Sequence, residues 1–366
     1  MSQFLPHEML SYLYHDERNA FNARMLGEET PRAFWEELEA RKDPRLDGHP
    51  MKAQDRWREF AIPIAWHGDG VPCIGKGGKN TKTFEVYSWS SILSSGNSLA
   101  TKVYCWGYFG DNKENDDSLK RVWKKVLWSL ECAQRGVWPS CDEDGKPYDA
   151  RNTVSKRAGT PIAGGSFLTL YTFKQDLDHL AREYHLADFR NNHPCELCRA
   201  NKLVDNWGMN FNNFNTGADW MTSLHTAEEW NASHPAPHPL FQWPWITCLN
   251  IEPDEAHALH LGVSQHTLGS VLWLLIYSCD SLDGSPQGNL DTVWAAIRTE
   301  YRRLKSPTQL TGLKLKQFHN PAKPYDDFPC LYTKLQRPRT SSSRCELCGN
   351  GFAALEKKII VVFLTC

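Results

Sequence analysis

Apolar positions recur along this chain with two different periods, and the change from one to the other divides it. Residues 5–40 carry apolar side chains at helical spacing, Met9, Leu10 and Leu13, then Phe34, Trp35 and Leu38, on either side of Gly27-Glu-Glu-Thr-Pro31. Thr30 followed by Pro31 predicts a helix start, because proline lacks only a donor that the first turn would leave unused. Residues 41–57 are polar, with Gly and Pro, and predict a linker. From residue 60 the pattern becomes that of strands: Phe60–Trp66, Thr83–Trp89 and Lys102–Phe109, separated by turn-rich segments at 75–80 and 94–98. A helix follows, capped by Asp117 or Ser118, with Leu119, Val122, Trp123, Val126, Leu127 and Leu130 on one face and Gly136 and Pro139 closing it. Thr169–Phe173 then predicts a fourth strand ending at Asp176, and Leu177–His185 a further helix.

Beyond residue 190 the chain is rich in Asn and Trp and poor in periodicity as far as Pro244. Ile246–Asn250 leads into Glu252-Pro-Asp-Glu-Ala-His257-Ala-Leu-His260, after which 264–278 and 290–304 read as helices, the second with Val293, Ile297, Tyr301 and Leu304 on one face. The expected division is an N-terminal helical segment with linker (1–57), an α/β core (58–190), a largely helical insertion (191–305) and a basic C-terminal segment (306–366).

Two aspartates stand just past the apolar runs of the first and fourth strands: Asp69 after Phe60–Trp66, and Asp176 after Ser166–Phe173. An Asp in such a place is often a turn former or a helix cap. The order of elements favours more. Three strands joined by short turns, then a helix, then a strand bearing the second carboxylate is the order of an RNase H-like fold, in which the first and fourth strands are neighbours. Carboxylates so paired suit Mg²⁺ or Mn²⁺, hard cations that need one or two rigid carboxylates, several waters and substrate phosphate.

Composition narrows the class. The chain has 366 residues with a net charge of −2, enough for a substantial core and too little positive charge to coat nucleic acid over its whole surface. Charge is unevenly spread, however: between Tyr301 and Arg344 ten Lys or Arg stand against two Asp, a basic stretch able to neutralise phosphates. The longest apolar runs, Val271–Tyr277 and Ile359–Leu364, fall well short of the ~20 residues of a membrane helix. No secretory or organelle-import pattern opens the chain, so the expected location is intracellular, nuclear or cytoplasmic. Most of the twelve cysteines lie in apolar surroundings and read as reduced thiols.

Cys195-Glu-Leu-Cys198 has the spacing with which two thiolates grip one tetrahedral zinc ion. The remaining ligands are open between His257 with His260 and the second Cys-Glu-Leu-Cys at Cys345 and Cys348. A redox dithiol is the rival reading, but no strand-CxxC-helix context surrounds it. Gly70-Val-Pro-Cys-Ile-Gly75-Lys76-Gly77 approaches a phosphate-binding loop, yet Gly77 stands where Ser or Thr is required and a strand follows, so an NTPase is rejected.

Taken in order, Pro63-Ile-Ala-Trp-His-Gly-Asp69-Gly-Val-Pro72, Gln175-Asp176-Leu-Asp-His179, Cys195-x-x-Cys198 and Asp254-Glu-Ala-His257-Ala-Leu-His260-Leu-Gly-Val resemble the catalytic region of eukaryotic cut-and-paste transposases of the CACTA/Mirage/Chapaev type. The resemblance covers about residues 5–335. It implies an α/β, RNase H-like mixed sheet flanked by helices, with N-terminal helices and a zinc-stabilised helical insertion. It also implies DNA as partner, with a homo-oligomeric state left open, and Mg²⁺ or Mn²⁺ and Zn²⁺ as cofactors. By position, Asp69 and Asp176 become the catalytic metal carboxylates, with Asp178 an adjacent alternative. Cys195 and Cys198 become part of the family's zinc-stabilised insertion, and His257 matches the motif's His, although Ala256 stands where Met is usual; His260 stays a candidate metal ligand through its spacing from His257. The family's third carboxylate is a Glu on a late helix. Beyond Leu335 the text departs from that region, and Glu356 is the only late Glu on a plausible helix. The expectation is a transposase-derived protein whose ancestor cleaved and joined DNA and whose own catalysis is lost with the third carboxylate. The alternative is a zinc-stabilised nucleic-acid-binding or scaffold protein.

Overall fold

The computed structural model describes residues 3–27, 30–74, 82–109, 116–151, 153–188, 190–233, 238–254, 263–279, 282, 284–305, 310–326 and 329–331. The chain forms two compact units, Met1–Pro253 and Asp254–Cys366. The N-terminal helices and residues 191–253 thus belong to the unit that holds the sheet, and the division falls inside the expected 191–305 segment.

The first unit is an α/β structure. In chain order its main elements are α1 (Pro6–His15), α2 (Pro31–Ala40), β1 (Ala61–Ile74), β2 (Lys82–Ser91), β3 (Val103–Phe109), α3 (Asp116–Arg135), β4 (Phe167–Gln175), α4 (Leu177–Tyr184), α5 (Ala227–Ser233) and β5 (Ile251–Pro253). The strands form one mixed sheet in the order β3-β2-β1-β4-β5. The β1–β2 and β2–β3 pairs are antiparallel, as short connections allow, and β1–β4 and β4–β5 are parallel, as the long crossovers require.

Each face of the sheet has its own helices. Ile62, Ile64 and Trp66 of β1 join Leu10 and Leu13 of α1, Trp123, Val126 and Leu130 of α3, and Leu180 and Tyr184 of α4 in the larger core. On the other face Ala61, Phe167 and Tyr171 pack with Trp35 and Leu38 of α2 and with Trp57. α2 starts as its sequence requires: the Thr30 hydroxyl accepts from the Ala33 N–H at 3.4 Å, with Pro31 behind it. The indole of Trp35 then donates to the Ala61 carbonyl at 2.8 Å, tying α2 to the start of β1.

Trp230 and the segment 238–251 contribute to this core. Trp230, Leu240, Phe241, Trp243, Ile246, Cys248 and Ile251 are buried in the same cluster as α3 and β4. β5 was outside the sequence expectation, which ended the segment at Asn250. Asn250 shows why so short a strand holds: its Nδ2 donates to the Tyr171 carbonyl at 2.9 Å, its Oδ1 accepts from Thr247 N–H at 2.8 Å, and its carbonyl accepts from the Thr172 hydroxyl at 3.0 Å. Asn250→Ala removes both side-chain bonds in a buried place and should cost ~2–3 kcal/mol, read as a lowered urea midpoint at unchanged slope. A loss under ~0.5 kcal/mol would mean that β5 is held by other bonds.

The second unit packs α6 (Gln265–Tyr277) with α7 (Pro286–Arg303), whose N-cap Ser285 accepts from Gly288 N–H. Leu268, Leu272, Leu275 and Ile276 meet Leu290, Val293, Ile297 and Tyr301, together with Leu313, Phe318 and Leu331. Both helices lie close to their expected places. Among the described residues no helix is long and apolar enough to cross a membrane.

Candidate functional site

β1 is longer than its apolar run. Asp69 does not lie past the strand, as expected from the end of that run, but inside it, opposite Val86 of β2. The reason is that the two edges of β1 end at different places. Pairing with β4 stops at Trp66↔Phe173, whereas pairing with β2 continues to Ile74↔Lys82. Measured from the β4 side, Asp69 and Asp176 occupy equivalent places, each three residues beyond the last parallel pair. Asp176 is the N-cap of α4, and its Oδ1 accepts from the His179 N–H at 2.5 Å. Both aspartates are half-buried.

Side chains alternate along β1, so Asp69 faces away from the side to which Gly68 and Gly70 turn. On that glycine side lies a buried polar cluster built by β2 and α4. Glu85, opposite Gly70, is 3 % exposed, with Oε1 at 3.6 Å from Arg182 and Oε2 at 3.6 Å from His179 Nδ1. Tyr87 and Tyr108 donate to Glu183 Oε2 at 3.2 and 3.1 Å. Gln175 Nε2 donates to Tyr184 at 2.8 Å.

Burial sets the ionisation of this cluster. It pushes the Glu85 carboxyl above its ordinary range, with Arg182 acting in the opposite direction and the negative charges of Glu183 and Asp69 adding to the rise. It also holds the His179 imidazole below its ordinary value, while Glu183, Asp176 and Asp69 oppose that shift. Both aspartates therefore lie within electrostatic reach of one buried ring.

Asp178 is exposed and pairs with Arg182 at 2.9 Å, one turn along α4. That is an ordinary surface ion pair, worth a few tenths of a kcal/mol. Glu85, His179, Glu183 and Gln175 went unnoticed as site residues in the sequence. The available signal was the Gly-Asp-Gly setting of Asp69, which marks a close approach of other atoms to both flanking residues.

The Cys195–Cys198 turn has the local geometry of a thiolate pair. Cys195 Sγ accepts from Leu197 N–H at 3.3 Å, and Cys198 Sγ accepts from the Ala200 N–H, each two residues on. Burial pushes the Cys198 thiol up to about 11, with the neighbouring Cys195 adding to the rise. The turn is anchored by Glu196, whose carboxylate accepts from the Trp230 indole at 3.0 Å and from the Ala187 N–H. His257, His260, Cys345, Cys348 and Glu356 lie outside the described residues, and of the late Asp-His motif only Asp254 is described. In the second unit His266 is exposed, with Nε2 at 3.9 Å from the buried Cys330 sulfur.

Among the described residues no group of three or more His, Cys, Asp or Glu side chains could hold a metal ion. Two partly exposed carboxylates, one within β1 beyond its pairing with β4 and one just past β4, still meet the modest demand of Mg²⁺, which is commonly bound by one or two carboxylates, waters and substrate phosphate. Zinc needs four ligands, and Cys195 with Cys198 supplies half of them. No protein-family model matches the chain, and no curated protein matches it.

Proposed function

We propose that the first unit is an RNase H-like core derived from a cut-and-paste transposase, with Asp69 and Asp176 as a divalent-metal pair acting on DNA. The observation that carries this reading is the register. β1 and β4 are parallel neighbours in the order β3-β2-β1-β4-β5, and each places an aspartate three residues past their last shared pair. A Mg²⁺ ion held there would activate a water or 3′-hydroxyl and stabilise the leaving oxygen of a phosphodiester. The chain's own part is to fix the two carboxylates: Asp69 by pairing on β2, and Asp176 by capping α4. Among the described residues no third carboxylate joins the pair. The proposal for this chain is therefore metal and DNA binding, with strand transfer belonging to an ancestor with a complete triad. The exposed Arg302, Arg303, Lys305, Lys314, Lys316 and Lys323 of the second unit are available for phosphate contact.

Titration with Mn²⁺ followed by electron paramagnetic resonance tests the pair. We expect saturable binding by the wild type and a loss of affinity of about a hundredfold in Asp69→Asn and in Asp176→Asn, each of which removes a hard anionic ligand. Equal binding by all three chains would remove the metal pair from the account.

A second reading, zinc at Cys195 and Cys198, is favoured by the paired N–H···S bonds of that turn. Those bonds stabilise sulfur as thiolate, the form that binds zinc. Zinc content should fall from about one ion per chain, as one tetrahedral site requires, to trace in Cys195→Ser/Cys198→Ser, while Asp69→Asn leaves it unchanged. Trace zinc in wild-type protein purified without chelator would reject the site.

A further inference from the structure

Asp69 is flanked by Gly68 and Gly70, and the space their missing side chains leave is filled from elsewhere. A Cβ on Gly68 would lie 2.5 Å from His179 Nε2, 3.1 Å from Tyr87 Cε1 and 3.2 Å from Gln175 Oε1. A Cβ on Gly70 would lie 3.1 and 3.3 Å from the two carboxylate oxygens of Glu85. Glu85 and His179 in turn meet at 3.6 Å. The backbone on both sides of Asp69 thus rests on one Glu–His pair.

The same histidine reaches the other aspartate. His179 donates its backbone N–H to Asp176 Oδ1 at 2.5 Å, while its fully buried ring abuts the residue before Asp69. One residue therefore touches Asp176 and the backbone beside Asp69.

As packing, this arrangement is expensive. Both ring nitrogens of His179, Glu85 Oε2 and Gln175 Oε1 are buried without a hydrogen-bond partner among the described residues. Each such atom costs ~1–3 kcal/mol, and an apolar side chain of similar size would avoid that cost. Conflicts of this kind between local chemistry and stability concentrate at functional sites.

We infer that His179, braced by Glu85, is a positioning residue that sets the Asp69 and Asp176 carboxylates relative to one another through the notch at Gly68. The inference rests on the reading of those aspartates as a metal pair. Gly68 is required because any side chain there displaces the ring, and Gly70 because a side chain there displaces Glu85.

Protein labelled with ¹³C at the aspartate Cγ provides the test, with Asp69→Asn and Asp176→Asn assigning the two signals. Gly68→Ala and His179→Ala should each move both signals and weaken Mn²⁺ binding at least tenfold. The double variant should behave much as His179→Ala alone, because the severe clash of the new methyl, at 2.5 Å, is with the ring, whereas Tyr87 and Gln175 at 3.1 and 3.2 Å need yield only slightly. Should His179→Ala fail to fold, His179→Gln takes its place; it keeps an amide near the ring position and should recover part of the Mn²⁺ affinity. A structural role alone would lower stability and leave the two signals and the affinity of the folded fraction unchanged. That result, or full additivity of Gly68→Ala with the His179 variant, overturns the inference. If the wild-type signals are not broadened by Mn²⁺, the metal reading fails, and the two signals then decide the positional link by themselves.

Discussion

Acidification from pH 7 to pH 5 is expected to remove several kcal/mol of stability from the first unit, because three buried histidines together withdraw about 6 kcal/mol before any opposing uptake by carboxyls. His7, His49 and His238 are buried, and in each the ring Nδ1 is engaged: with the Ser129 hydroxyl at 2.7 Å, with Met51 N–H at 3.2 Å and with Leu240 N–H at 3.2 Å. A backbone N–H can only donate, so His49 and His238 must accept at Nδ1 and be neutral, and charging them breaks those bonds. Burial is the chief cause of the depression, to about 4 for His7 and His49 and about 3 for His238.

The sign follows from proton counting. Between the folded values and the ordinary 6.5, the unfolded chain binds more protons than the folded one, so stability is whole above 6.5 and falls as pH drops toward 4. At pH 5 each histidine accounts for about 2 kcal/mol. Glu8 and Glu85, whose carboxyls burial pushes upward, take up protons in the folded state and offset part of the loss. A typical domain holds ~5–15 kcal/mol in reserve, so acid alone should bring this unit close to its transition. Urea unfolding followed by tryptophan fluorescence at both pH values reads the difference, and equal midpoints would show that these rings are not held neutral. His238→Gln should flatten the dependence by about a third, the share of one ring among three.

The second large effect is expected at Trp123, the middle of α3. Its ring lies 5.7 Å from Trp66, 5.5 Å from Tyr87, 5.9 Å from Trp106, 5.9 Å from Tyr184 and 4.6 Å from His238, measured between centroids. One side chain thus joins β1, β2, β3, α4 and the 238–242 turn. Trp123→Ala should cost ~3–5 kcal/mol, since rings drawn from so many elements cannot close the cavity together. Trp123→Phe, which keeps an aromatic face, should cost roughly half of that. The carboxylates are linked to this core through α4, so Trp123→Ala should also weaken Mn²⁺ binding in the fraction that remains folded. A loss under ~1.5 kcal/mol would mean that the sheet is held by its pairing rather than by this aromatic cluster.

The parts of this fold that could be read from the sequence are those in which local pattern and tertiary demand agree. α2 announced itself through Thr30, Pro31 and the spacing of Trp35 and Leu38, and α3 through six apolar positions on one face. The three antiparallel strands were visible because β2 and β3 follow β1 through short turns. The extension of β1 through Asp69 was not visible, because Gly68, Asp69 and Gly70 have poor strand propensity. Pairing with β2 overrides that preference. β5 escaped notice for a related reason. Three residues carry no period, and their place depends on Asn250 reaching Tyr171, a partner 79 positions away.

The candidate site divides in the same way. Asp69 and Asp176 could be singled out as strand-end carboxylates, but Glu85 and His179 acquire meaning only when β2 and α4 bring them to the two glycines. His179 also shows how a motif can be seen and its content missed. Its position three residues after Asp176 is plain in the sequence, whereas the burial of its ring against β1 is a property of the assembled sheet.

The central claim is that Asp69 and Asp176 bind one divalent ion together, and anomalous diffraction from a crystal soaked in Mn²⁺ tests it most directly. The account predicts a peak about 2.1 Å from an oxygen of each carboxylate, absent from crystals of Asp69→Asn. A peak on one aspartate with the other turned away, or manganese bound elsewhere on the chain while both carboxylates keep only protein partners, would contradict it.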